Sequence, residues 1–408
     1  MSAGPSLTGA PVRVPGGTLQ QWGARVGAWG DRTLESLSPG RRLRRDLAPL
    51  PRSSGSSGDP TGTVPPRVWF PRGLSRLVGR SGIGAAVRHQ EETVRRLGGT
   101  VVHSPFAPAD VVHLNTPLPD TPLMAWWARR RGIPVLMWAH STEEDFRGSF
   151  HGADRLAPLF RRWIAHLYRL GDAVVTPTAY SRDIILRPEY RLRRNVHVLS
   201  NGVDTRFFRP DPTARERLRE SLGLVPDAPV VVSVGLQIVR KGILDWVELA
   251  RSMPDVTFVW YGRTDPALIT APVREAIQTA PPNCRFPGHV PAEVVREAYC
   301  GADAFVFLTH EETEGIVLLE ALACAVPVIV RDIPIYHDWL PDGRVTHMVR
   351  GDGPAVVADA RRRLTDLLAG RLPDLTSAGR AAAEAVDLDR VAEGLSRIHR
   401  VTGVRPRR

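Results

Sequence analysis

Lysine is almost absent from this 408-residue chain: 53 arginines are accompanied by a single lysine, Lys241. Lysine is ordinarily among the commonest residues, so the pressure toward arginine acted nearly everywhere and one position resisted it. A compact, strongly hydrated ammonium and a wide planar guanidinium are not interchangeable where one charge must meet a phosphate in a tight pocket. A surface lysine kept by chance is the alternative, and its neighbours have to decide between the two. Cysteine is scarce as well. Cys284, Cys300 and Cys324 are odd in number and form no CxxC pair. They read as small buried hydrophobes in a reducing cytosol, with neither a disulfide framework nor a cysteine-based metal site. No run of eighteen apolar residues occurs, so no membrane-spanning helix is expected. The first residues lack an apolar core segment, so export by a signal peptide is not expected either.

What is present is globular in composition: 43% hydrophobic and 24% charged. The length exceeds one ordinary core, which points to two domains. The net charge of +11 is unevenly spread, at +4 over residues 1–65, +9 over 66–200 and −2 over 201–408. A basic first half beside a near-neutral second half suits an anionic partner, either nucleic acid or anionic lipid headgroups. A generally arginine-rich surface is the plainer alternative. Aromatic residues interleaved with basic ones on a strand face are missing, so no nucleic-acid partner is expected.

Residues 1–65 are rich in Gly, Pro, Ser and Arg, as in Ser53-Ser-Gly-Ser-Ser-Gly-Asp-Pro60. They read as a disordered or low-complexity extension, with a short helix conceivable around Leu19–Val26. Order is expected from Arg67. Apolar runs at Thr100–His103, Val111–Asn115, Val135–Ala139, Ala173–Thr176 and Val196–Leu199 read as strands. So do Val230–Val234, Thr257–Tyr261, Ala304–Leu308 and Val326–Val330. Helix candidates lie between them: Gly84–Leu97, Pro122–Arg131, Arg155–Leu170, Ile243–Ser252, Ala292–Tyr299 and Glu314–Ala323. Strands without polar alternation, interleaved with helices, predict an α/β fold with parallel sheets covered on both faces. The alternation runs twice and breaks around Asn201–Pro229. It therefore predicts two Rossmann-like, doubly wound domains, 66–205 and 206–385, facing a cleft at the carboxyl ends of their strands. Residues 386–408 read as a closing helix, Leu388–Val401, and a basic tail.

The strand ending near Val234 is followed by Gly235, then by Arg240-Lys241-Gly242, then by a helix from Ile243. A glycine turn, two cations and a helix N-terminus converge there and favour an anion; a solvated Arg-Lys pair capping a turn is the alternative. Strand 304–308 runs into Thr309-His-Glu-Glu-Thr-Glu-Gly-Ile-Val-Leu-Leu-Glu320. Gly315 places Glu312 on the loop and Glu320 inside a helix, flanked by Leu318, Leu319 and Leu322. A carboxylate in that setting needs donors, which paired ribose hydroxyls would supply. Otherwise Glu312 and Glu314 complement a helix dipole and Glu320 is exposed. In the first half, Ser81-Gly-Ile-Gly84 opens a helix, so backbone at Gly82 and Gly84 could approach a ligand, or merely turn. Trp138-Ala-His-Ser-Thr-Glu-Glu-Asp-Phe-Arg147 is a dense polar cluster at a strand end, with His140 either in a site or satisfied in the core. Arg155–Leu170 carries an apolar stripe with arginines around it. It suits a membrane-interface helix or, more simply, packing on its own sheet.

These segments together resemble glycosyltransferase family 4, retaining enzymes of the GT-B architecture. Glu312 to Glu320 matches the family's E-x7-E motif, and Gly235 to Lys241 its G-R-x4-K phosphate loop. Ser200-Asn-Gly-Val-Asp204 with Phe207 and Phe208 looks like its interdomain signature. Phe286-Pro-Gly-His-Val290 resembles the loop that reads the base. The order and spacing of the motifs over residues 66–400 carry the likeness. One position departs from it, since Leu236 stands where the family has arginine, which leaves Arg240 to supply a second charge.

The resemblance implies a retaining hexosyltransferase using a UDP- or GDP-hexose, with no permanently bound cofactor and no metal required. The nucleotide would lie on the second domain and the acceptor on the first. Lys241, Arg240 and the helix start at Gly315, Ile316 and Val317 would hold the diphosphate. Glu312 would orient sugar hydroxyls, His140 would face the sugar, Glu320 would bind the ribose, and Gly235 and Val290 would line the nucleotide site. The His140–Arg147 stretch is similar to that of bacterial diacylglycerol glucosyltransferases, which implies a lipid acceptor, a sugar acceptor being the other reading. A cytoplasmic protein resting on the inner face of the membrane follows from that likeness. A nucleotide-sugar epimerase of the same architecture, needing no separate acceptor, is the alternative.

Overall fold

A computed structural model describes residues 65–74, 79, 81–193 and 195–404. The extension read over residues 1–65, with its helix near 19–26, lies up to residue 64 outside the described residues. The first sheet holds six parallel strands: β1 (Arg67–Trp69), β2 (Thr100–Val102), β3 (Val111–Leu114), β4 (Val135–Trp138), β5 (Ala173–Thr176) and β6 (Val196–Val198). Their spatial order is β2-β1-β3-β4-β5-β6. The second holds β7 (Val230–Val234), β8 (Thr257–Tyr261), β9 (Cys284–Gly288), β10 (Ala304–Phe307), β11 (Val328–Arg331) and β12 (His347–Val349), in the order β12-β11-β10-β7-β8-β9. Every residue of β3, β4, β5 and β10 is buried. Burial on both faces is why these strands lack polar alternation.

The helices in chain order are α1 (Gly82–Arg96), α2 (Thr121–Arg130), α3 (Glu143–Phe146), α4 (Ala153–Tyr168), α5 (Ala179–Ile185), α6 (Ala214–Ser221) and α7 (Ile243–Ser252). There follow α8 (Ala271–Gln278), α9 (Ala292–Gly301), α10 (Ile316–Ala323), α11 (Pro354–Leu368), α12 (Thr376–Glu384) and α13 (Leu388–Val401). Ile164, Leu167 and Tyr168 of α4 join the core beneath the first sheet, with Phe160 and Trp163 packed against it. The C-terminal part of the apolar stripe of α4 is therefore core, while Leu156 near its start is exposed. On the opposite face, Leu395 and Ile398 of α13 pack with Val68, Phe70, Leu136 and Trp138, so the last helix returns to the first sheet as expected.

Several boundaries moved for local reasons. The run expected as a strand at Val326–Val330 pairs only as Val328–Arg331, because Ala325 takes a left-handed φ of 58° and Pro327 has no amide to donate. The helix expected from Glu314 starts at Ile316, because Gly315 sits at φ 93°. Phe286–Gly288, expected in a loop, extends β9. The helices α5, α6, α8, α11 and α12, the one-turn α3 and the short strand β12 were not anticipated; α6 lies inside the stretch read as a break.

The segment joining the sheets is tied from three sides. Arg96 of α1 pairs with Asp204 at 2.8 Å, Asp389 at 3.2 Å and Asp387 at 3.5 Å. Asp387 also accepts from the Thr205 hydroxyl at 2.6 Å and amide at 3.1 Å. Gly202 is left-handed at φ 72°, and a Cβ there would strike Leu388 and Val391 of α13. The last helix is thus a structural brace for the linker. Leu395→Ala is expected to lower unfolding free energy by about 2–4 kcal/mol, read by urea denaturation; a loss below about 0.5 kcal/mol would contradict the packing described.

Candidate active site

The ends of β7 and β10 are neighbours in the second sheet, and the loops beyond them build the centre of the site. Gly242 is forced into place by its surroundings. Its φ is 76°, and a Cβ would fall on the Leu308 carbonyl, so only glycine lets the 240–242 turn lie against β10. That turn presents Lys241, whose Nζ donates to Glu312 Oε1 and sits 5.4 Å from the Phe307 ring centre. Burial draws the Lys241 pKa down and Arg240 adds to the fall, with Glu312 opposing both. Glu312 is only 5% exposed and accepts from Thr309 Oγ1 at 3.0 Å. Beside it, α10 begins. The first-turn amides of Ile316 and Val317 have no acceptor within their own helix.

Glu320 lies one turn further along α10, half-buried, accepting from the Tyr299 hydroxyl at 3.1 Å. Gly235 follows β7, its amide bonded to the Tyr261 carbonyl and its carbonyl to Trp260 Nε1. Val290 lies two residues past β9 and packs on the core shared by β7, β8 and β10. Lys241, Glu312, Gly315, Ile316, Val317 and Gly235 thus stand at adjacent strand ends, with Glu320 behind them and Val290 beyond β8.

Arg240 departs from expectation. Its Nη1 donates to the Glu311 carbonyl at 2.8 Å and pairs with Asp145 at 2.9 Å, while Nε bonds Ser149 Oγ at 3.1 Å. Its amide also donates to the Gly148 carbonyl at 3.2 Å. The guanidinium therefore ties the 235–242 loop to α3 of the first sheet and does not stand free beside Lys241. Asp145, within the polar cluster of the sequence but with no distinct part assigned, is its partner. Burial raises the Asp145 pKa, Arg240 opposing and Glu312 reinforcing the rise. Further bonds cross at α5, where the Thr178 and Ser181 hydroxyls both donate to the Thr313 carbonyl at 3.0 Å, and the Tyr180 hydroxyl donates to Glu311 at 3.2 Å.

His140 follows β4 and is 7% exposed. Its Nε2 lies 2.8 Å from Asn115 Oδ1 and 3.2 Å from Gln90 Nε2, and its ring stacks on Trp138. Burial pulls its pKa down to about 4, so the imidazole is neutral at pH 7. Gly84 has an internal reason for being glycine, since a Cβ would fall 2.2 Å from the Gly79 carbonyl oxygen. The close approach there is to the chain itself. Gly82 is exposed, with open space around it.

Sequence reasoning missed Glu314. It is 5% exposed and accepts from the Asn201 amide at 3.0 Å and Asn201 Nδ2 at 2.8 Å, linking the loop before α10 to the chain between the sheets. Only its place beside Gly315 in the motif could have flagged it. Among the described residues, no grouping of three or more His, Cys, Asp or Glu side chains is placed to hold a metal ion.

The comparisons with known proteins fit this geometry. Residues 41–207 match the model of Glycosyltransferase Family 4, and residues 228–366 that of Glycosyl transferases group 1. Two solved structures share the fold. Sucrose-phosphate synthase from Thermosynechococcus elongatus is 18% identical, with TM-score 0.66 over 82% of this chain and 98% of its own. Anabaena HepE in complex with UDP-glucose is 16% identical, with TM-score 0.67 over 82% and 100%. Two facing parallel sheets with a returning C-terminal helix define a GT-B glycosyltransferase. Processive diacylglycerol alpha-glucosyltransferase of Acholeplasma laidlawii is 38% identical over 65% of this chain and 78% of that one. Alpha-galactosylglucosyldiacylglycerol synthase of Streptococcus pneumoniae is 29% identical over 56% and 62%. The chain belongs to glycosyltransferase family 4, and it is a hexosyltransferase. The epimerase alternative is not supported.

Burial pushes Glu311, Glu314 and Glu320 each up to about 7, from an ordinary 4.5. The folded state then holds these protons where the unfolded chain has released them. Their stabilising contribution is complete below pH 4.5 and is lost as pH rises through about 7. Glu314→Gln keeps an acceptor for Asn201 and cannot ionise. It is expected to exceed the parent stability by about 1–3 kcal/mol near pH 8 and by less than about 1 kcal/mol near pH 5. Urea unfolding at both pH values measures this, and an equal difference at the two would exclude titration of Glu314.

Proposed function

We propose that the protein transfers a hexose from a UDP- or GDP-linked donor to a hydroxyl of a membrane glycerolipid, with retention of anomeric configuration. The observation that carries the donor half is the Lys241–Glu312 ion pair at the mouth of α10. An arriving diphosphate is a stronger partner for the ammonium than one carboxylate, because it brings more charge and also meets the Ile316 and Val317 amides. Lys241 turns to the phosphate, and Glu312, no longer needed as its counter-ion, becomes free to accept from sugar hydroxyls. Negative charge grows on the leaving diphosphate as the sugar–oxygen bond breaks. Lys241 and the helix start are already oriented to stabilise it, the kind of contribution that often dominates catalysis.

Arg240 then acts mainly by joining the two sheets around the donor. Neutral His140, held by Asn115 and Gln90, offers a hydrogen bond to the sugar from the opposite wall. Glu320, beside Tyr299, accepts from ribose hydroxyls, and Val290 lines the base. Attack from the leaving-group face gives retention. The acceptor half rests on relatives whose names specify diacylglycerol lipids and on the arginine-rich first half. Among the described residues no helix is long and apolar enough to cross a membrane. The acceptor would be met by resting on the inner face of the membrane.

Labelled UDP-glucose, UDP-galactose and GDP-mannose, each incubated with the protein and dioleoylglycerol vesicles, test the reading by lipid extraction and chromatography. Absence of labelled lipid from all three would sink the lipid acceptor. Lys241→Met is expected to lower kcat/KM by about a thousandfold with the fold intact by circular dichroism. Lys241→Arg should be impaired as well, since a planar fork does not fit the space of an ammonium; near-normal turnover of Lys241→Met would overturn the donor site. Ribose hydroxyls donating to Glu320 would lower its pKa from about 7, so nucleotide binding should release protons near neutral pH. Calorimetry in buffers of different ionisation enthalpy reads this release, and Glu320→Gln should remove it.

A further inference from the structure

Two of the three cysteines meet where α9 and α10 end. Cys300 is the last residue but one of α9, and Cys324 caps α10. Cys324 belongs to the core on one face of the second sheet, and Cys300 packs against that core from its edge. Cys324 is only 3% exposed, whereas Cys300 is part-exposed. The two thiols are hydrogen-bond partners of each other, and Cys300 Sγ also donates to the Arg209 carbonyl at 3.2 Å. Cys284 stands apart, in the core on the other face of the sheet.

The partners are unequal, as a redox pair requires. The bond to Cys324 draws the Cys300 pKa down, and the Arg296 guanidinium one turn earlier in α9 adds to the fall against burial. The same bond, with burial, raises that of Cys324. Burial pushes the isolated Cys284 up to about 12, the usual fate of an inert core thiol. Cys300 is thus both the thiol nearest to its reactive thiolate form and the one that solvent reaches. An accessible thiol of lowered pKa with a second thiol beside it is the arrangement that supports reversible oxidation. Its place ties it to the site. Tyr299 precedes Cys300 and donates to Glu320 at 3.1 Å, and the Cys324 amide donates to the Glu320 carbonyl at 3.1 Å.

We propose that Cys300 is an oxidation site, at which a peroxide drives formation of a Cys300–Cys324 disulfide that weakens nucleotide binding. The Cys300 thiolate attacks one peroxide oxygen, the O–O bond breaks, and Cys300 becomes a sulfenic acid as hydroxide leaves. The Cys324 sulfur then attacks that of Cys300. The S–S bond forms, the S–O bond breaks, and water departs with the Cys324 proton. Counting the proton Cys300 first gave up, two thiols and one peroxide become one disulfide and two waters. A small dithiol reverses the step by exchange. The bridge replaces a non-bonded contact by a bond of about 2 Å, beside Tyr299 and one turn from Glu320, so it displaces that hydrogen-bonded pair. The effect on the nucleotide rests on the ribose role given to Glu320 above; the oxidation does not.

The test treats the full-length, reduced protein with hydrogen peroxide and maps its peptides without reduction by mass spectrometry. UDP and GDP binding is measured by calorimetry before oxidation, after it, and after dithiothreitol. A peptide pair joined through Cys300 and Cys324 is expected, with the nucleotide dissociation constant raised about fivefold or more and restored by the dithiol. Cys324→Ser should stop at the sulfenic acid, so that dimedone labels Cys300. Cys300→Ser should give neither bridge nor label and should keep its affinity through peroxide treatment. Absence of the joined peptides from the wild type, or oxidation of Cys284 as readily as Cys300, overturns the oxidation site. A bridge that leaves nucleotide affinity unchanged overturns its coupling to the donor site. If the reduced protein binds neither UDP nor GDP, the nucleotide reading itself fails, and the peptide map still decides the bridge.

Discussion

A buried row of alternating charge, Asp145, Arg240, Glu312 and Lys241, is the constraint on which the cleft depends. Its members come from three separate loops, after β4, after β7 and after β10. None is comfortable alone, because a charge removed from water is costly unless a partner and hydrogen bonds compensate. Asp145 and Lys241 show the strain directly, the one shifted up and the other down by burial. The Arg240–Asp145 pair joins this row across the two sheets, while Arg240, Glu312 and Lys241 all stand on loops of the second. On the proposed reading, an anionic donor entering beside Lys241 would exchange one partner for another without leaving an ammonium bare.

The linker between the sheets is bound into the same design. Glu314 precedes the glycine that opens α10, and it holds Asn201 by two hydrogen bonds. His89 of α1 reaches the next residue, its Nδ1 lying 2.8 Å from the Gly202 carbonyl oxygen. Arg96 gathers Asp204, Asp387 and Asp389 a few residues on. Contacts from the loop before α10, the first helix and the start of the last helix thus converge on a stretch of about five residues, from 201 to 205.

Much of the candidate site was legible because it rests on residue types with narrow physical uses. Lys241, Gly235 and Glu312 sit beyond the expected strand ends and Glu320 inside the expected helix, since parallel strands bring their carboxyl ends to one edge whatever the detailed packing. Arg240 was legible as a cation and not as a bridge; adjacency to Lys241 gave no hint that its guanidinium points toward Ser149 and Asp145. Gly84 was rightly singled out as a place of close approach, but the approaching group is the Gly79 carbonyl. The helices α8 and α12 went unread because their apolar positions are sparse and alanine-rich. The strand β12 is only three residues long and includes a histidine.

Sequence alone determined the class of fold and the order of its parts. Two series of buried, β-branched strands separated by helices admit only parallel sheets covered on both faces. Tertiary structure decided which groups meet: Arg240 with Asp145 across the cleft, and Glu314 with Asn201 at the linker. These pairs are separated by 95 and 113 residues in the chain. No periodicity links such positions, because contact between loops follows from how the strands are ordered in each sheet and how the sheets are braced by the returning helix.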